Sequence, residues 1–215
     1  MEINIIHPVV ALEGLPYSGK TTLAAALTKE AQSRGISVLV FSEFSESPSG
    51  HIIEDCVRDN SYRQWPLSTQ TFLFLADKCV TSSFAAEVLS DVALSPHTRV
   101  IFDRSIFSVV AFQAAIKYPQ LPDRFQLSSF LEACQTLAGG ELIIPKKVIY
   151  LDVAPSVCYE RGLPAEAFSL EELSRIRETY YKLAQDYQFK IINDMDIPEK
   201  ILQESISFLE DSHWL

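Results

Sequence analysis

The sequence predicts an α/β protein in which helices cover both faces of a parallel sheet. Five short apolar runs alternate with longer stretches of helical spacing, and the first apolar run ends at a glycine-rich loop. Parallel strands need long crossovers, and intervening helices supply them. The chain has 215 residues, 47% of them hydrophobic, which is enough for one sizeable core. We therefore expect a single domain spanning residues 1–215.

The first βαβ unit lies at the amino-terminal end of the chain. Residues 9–12 form a wholly apolar run, which predicts a strand buried on both faces. A helix is expected from Lys20 onward, because apolar residues then recur three or four positions apart, and Gly35 supplies its end. The apolar residues 38–41 predict a second buried strand.

The same alternation continues to the carboxyl end. Apolar runs predict three further strands, at residues 99–102, 147–151 and 190–192. Helical spacing predicts helices at residues 68–89, 106–116, 126–138, 170–187 and 198–209. Strands and helices that alternate in this way favour a parallel sheet with right-handed crossovers.

Composition and charge exclude several classes of function. The net charge of −10 argues against a nucleic-acid partner, because phosphate backbones need clustered Lys and Arg. No apolar run reaches the roughly 18–20 residues of a membrane helix, and the amino terminus lacks the pattern of a signal peptide. The four cysteines and four histidines are scattered, without zinc-ligand spacing. We expect a cytoplasmic protein without a membrane partner.

The loop after the first strand has the pattern Gly-x4-Gly-Lys-[Ser/Thr], a P-loop. Such a loop wraps a phosphate so that successive backbone N–H groups point inward, and the following helix adds its positive dipole end. Lys20 is expected to reach the β- and γ-phosphates of a nucleoside triphosphate, for which ATP is the commoner choice. The residues expected to bind this ligand are Gly14, Pro16, Tyr17, Ser18, Gly19, Lys20, Thr21 and Thr22.

A carboxylate at the end of the third strand predicts a magnesium site. Asp103 follows the apolar residues 100–102, at the sheet edge where the P-loop is expected. It would hold Mg²⁺ together with the hydroxyl of Thr21. Taken alone, Asp103 is equally explained as a helix N-cap; beside a complete P-loop, the magnesium role is favoured.

Three motifs resemble the thymidylate kinase family of P-loop kinases, to which deoxynucleoside kinases are close relatives. Residues 13–22 are similar to the family's Glu-Gly…Gly-Lys-Thr-Thr opening. Residues 72–78 (FLFLADK) are similar to Leu-Leu-Phe-x-Ala-x-Arg, and residues 103–113 (DRSIFSVVAFQ) to Asp-Arg-Tyr-x-x-Ser-x-x-Ala-Tyr-Gln. The resemblance covers roughly residues 9–209.

The resemblance implies a fold, a reaction and a set of site residues. The fold would be the three-layer P-loop NTPase sandwich, with a five-stranded parallel sheet in the order 2-3-1-4-5. The reaction would move the γ-phosphate of ATP onto a nucleoside monophosphate, dTMP in the first place. Lys20, Arg104 and Arg161 would stabilise the transferring charge, with Arg161 on a short lid at residues 161–168. The acceptor pocket would comprise Phe74, Lys78, Arg104, Phe112 and Gln113.

The resemblance also bears on assembly. Related kinases pair through their helices, which suggests a homodimer. The apolar residues 72–80 would suit such a face, although burial against the sheet explains them equally well.

The residues after the second strand leave the acceptor open. The family usually has an Arg there that grips the monophosphate, whereas this chain has Glu43 and Glu46, which would repel a phosphate dianion. Deoxynucleoside kinases place a Glu at this point, so Glu43 would then be the base for a nucleoside or another small hydroxyl compound. Pro16 stands near the place where many thymidylate kinases carry an acid that contacts the acceptor sugar. A third possibility is a non-catalytic nucleotide sensor, because the chain has few candidate catalytic arginines and its lid has one.

Overall fold

A computed structural model describes residues 8–59, 61–91, 97–117, 123–193, 197–211 and 214–215. The strands are Val9–Gly14 (β1), Ser37–Phe41 (β2), Thr98–Asp103 (β3), Lys147–Asp152 (β4) and Lys190–Asn193 (β5). The helices are Lys20–Ser33 (α1), Pro48–Arg58 (α2), Leu67–Ser90 (α3), Ile106–Lys117 (α4), Arg124–Leu137 (α5), Pro155–Glu160 (α6), Leu170–Tyr187 (α7) and Pro198–Glu210 (α8). A short 3₁₀ helix, Ser61–Gln64, lies between α2 and α3.

The five strands form one parallel sheet in the order β2-β3-β1-β4-β5, which confirms the expected topology. In this register Leu12 pairs with Asp103, and Gly14 pairs with Leu151. The carboxyl ends of β1, β3 and β4 therefore meet at one edge of the sheet. In open α/β sheets this edge is where ligands bind.

Two hydrophobic clusters pack on opposite faces of the sheet. Alternate residues of β1 point to opposite faces, so Val9 and Ala11 belong to one cluster while Val10 and Leu12 belong to the other. The first cluster takes in residues of α3, α4, α5 and α7, and the second takes in residues of α1 and α8 together with the buried Trp214. Helices thus cover both faces, as a three-layer sandwich requires.

Most predicted elements agree with the structure to within two residues at each end. The segments α2, the 3₁₀ helix and α6 were not expected, because they are short and show no long apolar period. Two of them begin at a proline in the first turn, Pro48 and Pro155, where the missing N–H costs nothing. The prediction of a buried second strand was wrong: β2 lies at the sheet edge, and Leu39 and Val40 are partly exposed.

The longest helix is α3, with 24 residues. Its inner side carries the buried Leu75, Asp77 and Lys78, while Phe72 is 55% exposed. Within the described parts of the chain, no helix is long and apolar enough to span a bilayer.

Candidate active site

The P-loop between β1 and α1 has the backbone shape that its glycines permit. Gly14 has φ 151°, and a Cβ on it would lie 2.6 Å from Ser18 Oγ and 2.7 Å from the Leu151 carbonyl oxygen. Gly19 has φ 92°, in the left-handed region that favours glycine. Any side chain at Gly14 would therefore force the loop away from β4.

Lys20 begins α1 and folds back over the loop. Its Nζ donates to the Leu15 carbonyl oxygen at 2.9 Å and to Ser18 Oγ at 3.2 Å, and the residue is only 6% exposed. Burial, reinforced by repulsion from Arg104, lowers the pKa of Lys20 to about 8, although nearby acidic groups oppose the shift. The loop thus holds a cation whose charge is incompletely balanced, as an anion site requires.

Thr21 and Asp103 come together across the edge of the sheet. Thr21 Oγ1 donates to Asp103 Oδ2 at 2.6 Å, while the buried Asp103 Oδ1 lacks a hydrogen-bond partner. A buried carboxylate oxygen without a partner, next to a hydroxyl, fits a Mg²⁺ ion that keeps several waters and takes its other ligands from phosphate. Among the described residues there is no cluster of three His, Cys, Asp or Glu side chains suited to a metal. The role of Thr21 and Asp103 as the Mg²⁺ site stays a prediction.

A cavity of about 760 Å³, here called the phosphate-loop cavity, opens above these residues. A second cavity of about 390 Å³, here called the aromatic cavity, lies beside it, and its volume suits a small ligand. Lys20, Thr21, Thr22, Asp103 and Arg161 line the first, and Tyr62, Phe74, Lys78, Phe112, Gln113 and Phe168 line the second. Both cavities share Pro16, Tyr17, Glu43, Phe44 and Arg104.

The aromatic cavity is walled by two edge-to-face ring pairs. The rings of Tyr62 and Phe74 are 5.9 Å apart between centroids, and those of Phe112 and Phe168 are 5.8 Å apart. Gln113 is buried, with its Oε1 3.5 Å from Thr71 Oγ1. Flat apolar walls with one amide at the floor provide stacking surfaces and a polar contact for a ring compound.

Arg104 stands on the wall shared by the two cavities. Its Nη1 donates to the Gly14 carbonyl oxygen at 2.7 Å and to Ser108 Oγ at 3.3 Å, and its guanidinium carbon lies 5.2 Å from the centroid of the Phe112 ring. Arg104 Nε lies 2.7 Å from Glu43 Oε1. The arginine is 4% exposed at its side chain, whereas the Glu43 side chain is 47% exposed.

The charges of this pair reinforce each other. Burial works against ionisation of both groups, but their mutual attraction outweighs it. The pKa of Glu43 is accordingly lowered, with Lys20 and Lys78 adding to the effect of Arg104, and the pKa of Arg104 is raised above its ordinary value. Glu43 is therefore a carboxylate, and Arg104 a cation, at neutral pH.

Lys78 points into the aromatic cavity from α3, but it is also engaged. Its Nζ donates to the backbone carbonyl of Glu43 and lies 3.6 Å from Asp77 Oδ2. Burial lowers the pKa of Lys78, with acidic neighbours opposing the change. Asp77 in turn accepts from the backbone N–H of Ser45 at 3.2 Å. Lys78 and Asp77 therefore hold the loop between β2 and α2 that carries Glu43.

Residues 161–168 connect α6 to α7 and contribute to both cavities. Arg161 Nη1 donates to the Tyr17 carbonyl oxygen at 3.2 Å, which joins this segment to the P-loop. Leu163, Pro164, Ala167 and Phe168 line the aromatic cavity. The predicted site residues are thus brought together around two adjoining cavities, and their roles in binding and transfer stay predictions.

Glu13 was missed as a structural centre of the site, although it was quoted as part of the family motif. It is fully buried, and its carboxylate accepts from Ser105 N at 2.8 Å, Ser105 Oγ at 2.6 Å and Tyr180 OH at 3.0 Å. It also accepts from Ser108 Oγ, a partner of Arg104. An acid that directly follows a buried apolar run is the signal that could have found it.

Arg63 was also missed, and it binds the segment 161–168 from the 3₁₀ helix. Its Nη2 donates to Glu172 Oε1 at 2.5 Å, and its Nη1 donates to the Ala167 carbonyl oxygen. Nothing in the local sequence distinguishes this arginine from a solvated one.

The sheet order, the P-loop after β1 and the carboxylate that ends β3 belong to the P-loop class of nucleotide-binding proteins. The second cavity beside the phosphate site adds room for an acceptor, as in kinases of small molecules. A family model described as thymidylate kinase matches residues 12–206, and the chain belongs to that family.

Several relatives match nearly the whole chain. A probable thymidylate kinase 1 of Saccharolobus solfataricus is 28% identical over 213 residues, covering 95% of this chain and 98% of its own. A probable thymidylate kinase of Pyrococcus abyssi is 29% identical, covering 94% and 95%. The thymidylate kinase of Arabidopsis thaliana is 28% identical, covering 90% of this chain and 67% of its own length. The protein is accordingly an ATP-dependent nucleotide kinase with Mg²⁺ as cofactor and a small nucleotide as substrate.

Proposed function

We propose that this protein transfers the γ-phosphate of ATP to a nucleoside monophosphate, and that the monophosphate is dTMP. The observation that carries the proposal is the position of the buried Arg104 on the wall shared by the phosphate-loop and aromatic cavities. An acceptor base in the aromatic cavity would direct its phosphate toward this arginine and toward the P-loop. The relatives are named thymidylate kinases, which supports dTMP as the acceptor.

Transfer requires positioning and positive charge more than covalent participation by the protein. The P-loop amides and Lys20 would hold the β- and γ-phosphates, and the incompletely balanced charge of Lys20 would be neutralised there. Thr21 and Asp103 would hold Mg²⁺, which supplies charge beside the transferring phosphate. Arg161 already touches the P-loop, and it would add a cation on the side of the segment 161–168.

The acceptor side would use the aromatic walls. Phe74 and Phe112 would stack on the base, and the buried Gln113 would form a hydrogen bond to its edge. The guanidinium of Arg104 would donate two parallel hydrogen bonds to the acceptor phosphate. Glu43 would then leave the arginine, and its half-exposed side chain gives it a path into solvent. Lys78 would support the site through the Glu43 loop as well as by its charge.

A second candidate acceptor is a nucleoside without a phosphate. The observation in its favour is the Glu43–Arg104 pair, in which the arginine already has an anionic partner. Glu43 would orient the attacking hydroxyl and accept its proton as transfer proceeds. A lowered pKa makes Glu43 a weak base in the ground state, so its main role would be orientation.

One assay separates these acceptors. ATP consumption with Mg²⁺ is measured with dTMP, other nucleoside monophosphates, thymidine, other deoxynucleosides and no acceptor. Turnover with dTMP and none with thymidine supports the proposal. Turnover with nucleosides alone refutes it in favour of the second candidate. ATP binding without stimulated turnover by any acceptor refutes both and leaves a nucleotide sensor.

We further propose that residues 1–215 form a single folding unit and that residues 161–168 are its lid. We also propose that the protein is cytoplasmic.

A further proposal is that the protein forms a homodimer. The exposed Phe72 and Ala76 lie one helical turn apart on α3, and they form an apolar strip suited to a symmetric contact. A Phe72→Glu substitution should convert a dimer into a monomer by light scattering. A wild-type protein that is already monomeric would exclude the dimer. One cooperative unfolding transition would support the single unit.

A further inference from the structure

The segment between α6 and α7 is held against the aromatic cavity by a residue from another part of the chain. Arg63, in the 3₁₀ helix, donates to the Ala167 carbonyl oxygen and to Glu172 Oε1. Its guanidinium carbon also lies 5.0 Å from the centroid of the Phe168 ring. The planar guanidinium of Arg63 thus makes three kinds of contact: to a carbonyl oxygen, to a carboxylate and to an aromatic ring.

Phe168 is the part of this segment that forms a wall of the aromatic cavity. Its ring packs edge-to-face on Phe112, and its backbone carbonyl accepts from the hydroxyl of Tyr159. Arg63 therefore adds a contact from a distant part of the chain to a ring that also packs on Phe112 and the first hydrophobic cluster. Releasing Arg63 would free one wall of the cavity while leaving its floor in place.

The opposite wall is connected to the same arginine through its neighbour in sequence. Tyr62 is buried and packs edge-to-face on Phe74. The dipeptide Tyr62-Arg63 thus contacts the Phe74 wall with one residue and the Phe168 wall with the other. The two ring pairs that line the cavity are therefore linked through two adjacent residues.

We propose that Arg63 is a positioning residue for the acceptor, which latches residues 163–168 over the aromatic cavity and sets the spacing of its aromatic walls. The inference rests on the proposed function, in that the aromatic cavity is taken as the acceptor site. The Arg63–Glu172 ion pair is partly exposed, at 26% and 37% of the side chains, so it would contribute little alone. All three contacts of Arg63 fall within residues 167–172, and together they hold the end of this segment in place.

The latch predicts a selective effect on one substrate. In Arg63→Ala the KM for the acceptor should rise about tenfold, whereas the KM for ATP should stay within about twofold, because the P-loop contacts are untouched. In Arg63→Lys the acceptor KM should rise less than in Arg63→Ala but stay above the wild-type value, because the single ammonium cannot replace the several N–H donors of the guanidinium. Glu172→Gln keeps a side-chain oxygen that can accept a hydrogen bond from the Ser169 N–H at the start of α7. In this variant the KM for the phosphate acceptor should rise less than in Arg63→Ala.

Hydrogen exchange of the protein without substrate tests the latch independently of activity. The N–H groups of Leu163 and Ala167 donate to Cys158 and Pro164 carbonyl oxygens at 2.9 Å and 3.0 Å, so they report on opening of the segment. Arg63→Ala should speed their exchange at least several-fold, while α1 exchanges as in the wild type. Arg34→Ala is the matched control, because Arg34 is another arginine paired with two carboxylates, Glu30 on α1 and Glu210 on α8, and it lines neither cavity.

The outcomes are distinguishable. Faster exchange together with a selective rise in acceptor KM supports the proposal. Wild-type exchange in Arg63→Ala overturns the latch. Faster exchange with an unchanged acceptor KM overturns its role in acceptor binding. A wild-type protein that turns over no acceptor refutes the proposed function and, with it, the acceptor role of Arg63; exchange then still decides whether the latch exists.

Discussion

Arg104 Nε lies 2.7 Å from Glu43 Oε1, so the buried cation on the wall between the two cavities already has an anionic partner. An acceptor phosphate at Arg104 would compete with this carboxylate, whereas a neutral acceptor would not. Substitutions of these two residues therefore distinguish the kinds of acceptor more directly than any others.

Removing the charge of Glu43 should have opposite effects on the two proposed reactions. For a monophosphate acceptor, Glu43→Gln should lower the acceptor KM several-fold, because the phosphate no longer competes for Arg104. For a nucleoside acceptor, the same change should lower kcat by roughly 10²-fold, the usual contribution of a positioned base. Steady-state kinetics with dTMP and thymidine decide between them. Glu132→Gln, on the exposed side of α5, is the control for a lost carboxylate.

Arg104→Lys keeps the positive charge at this position but removes the paired N–H donors of the guanidinium. The ammonium of lysine cannot keep the contact to the Gly14 carbonyl and also present two parallel N–H groups to a phosphate, so the acceptor KM should rise by about tenfold or more. The KM for ATP should change by less than about threefold. Equal losses for both substrates would remove Arg104 from the acceptor site.

Lys20→Ala should abolish transfer while leaving the fold intact. The amine is the P-loop cation, and we expect kcat to fall by about 10³-fold or more. Circular dichroism and thermal unfolding should show a folded protein, because burying the uncompensated amine is itself unfavourable. Activity close to that of the wild type would contradict the P-loop mechanism.

Binding of ATP should be linked to protonation of Lys20. Burial lowers the pKa of Lys20 to about 8 in the free protein, so close to half of the amines lack a proton at pH 8. A polyphosphate raises that pKa, so binding should take up about half a proton at pH 8, and affinity should fall as the pH rises further. Titration calorimetry in two buffers of different ionisation enthalpy measures the uptake.

Two comparisons check the origin of that proton. Lys20→Met should abolish the uptake, and Lys29→Met, on the exposed side of α1, should leave it unchanged.

Protonation of Lys20 is also linked to folding. Between pH 8 and the ordinary value of 10.5 the unfolded chain binds more protons at this residue than the folded chain. The contribution of Lys20 to the free energy of unfolding therefore rises with pH across that window.

Glu13 should be important for stability as well as for the site. Glu13→Ala would leave the hydroxyls of Ser105, Ser108 and Tyr180 without their common acceptor in a buried space. We expect the free energy of unfolding to fall by about 3–5 kcal/mol, because three buried hydroxyls lose their acceptor together. Urea unfolding measures the loss, and Glu13→Gln, which keeps the shape, should lose less. A change below about 1 kcal/mol would show that the network is unimportant.

The alternation of strands and helices, the P-loop and the carboxylate of Asp103 were all predictable from the sequence. Each depends on a local pattern: an apolar run, a spacing of three and four residues, or a motif of eight residues. The parallel sheet followed from the same patterns, and the strand order followed from the family resemblance. Even so, α2 and α6 were not predicted, because α6 has only six residues and the apolar spacing of α2 is confined to residues 52–57.

Only the tertiary structure decided which side chains meet. The pairing of Glu43 with Arg104 depends on β2 lying next to β3. The partners of Glu13 are Ser105 just before α4, Ser108 on α4 and Tyr180 on α7. Arg63 meets Phe168 because the 3₁₀ helix and the segment 161–168 border one cavity. The physical reason is that hydrogen bonds and ion pairs act over a few ångströms, so partners far apart in sequence are brought together by the packing of the elements that carry them.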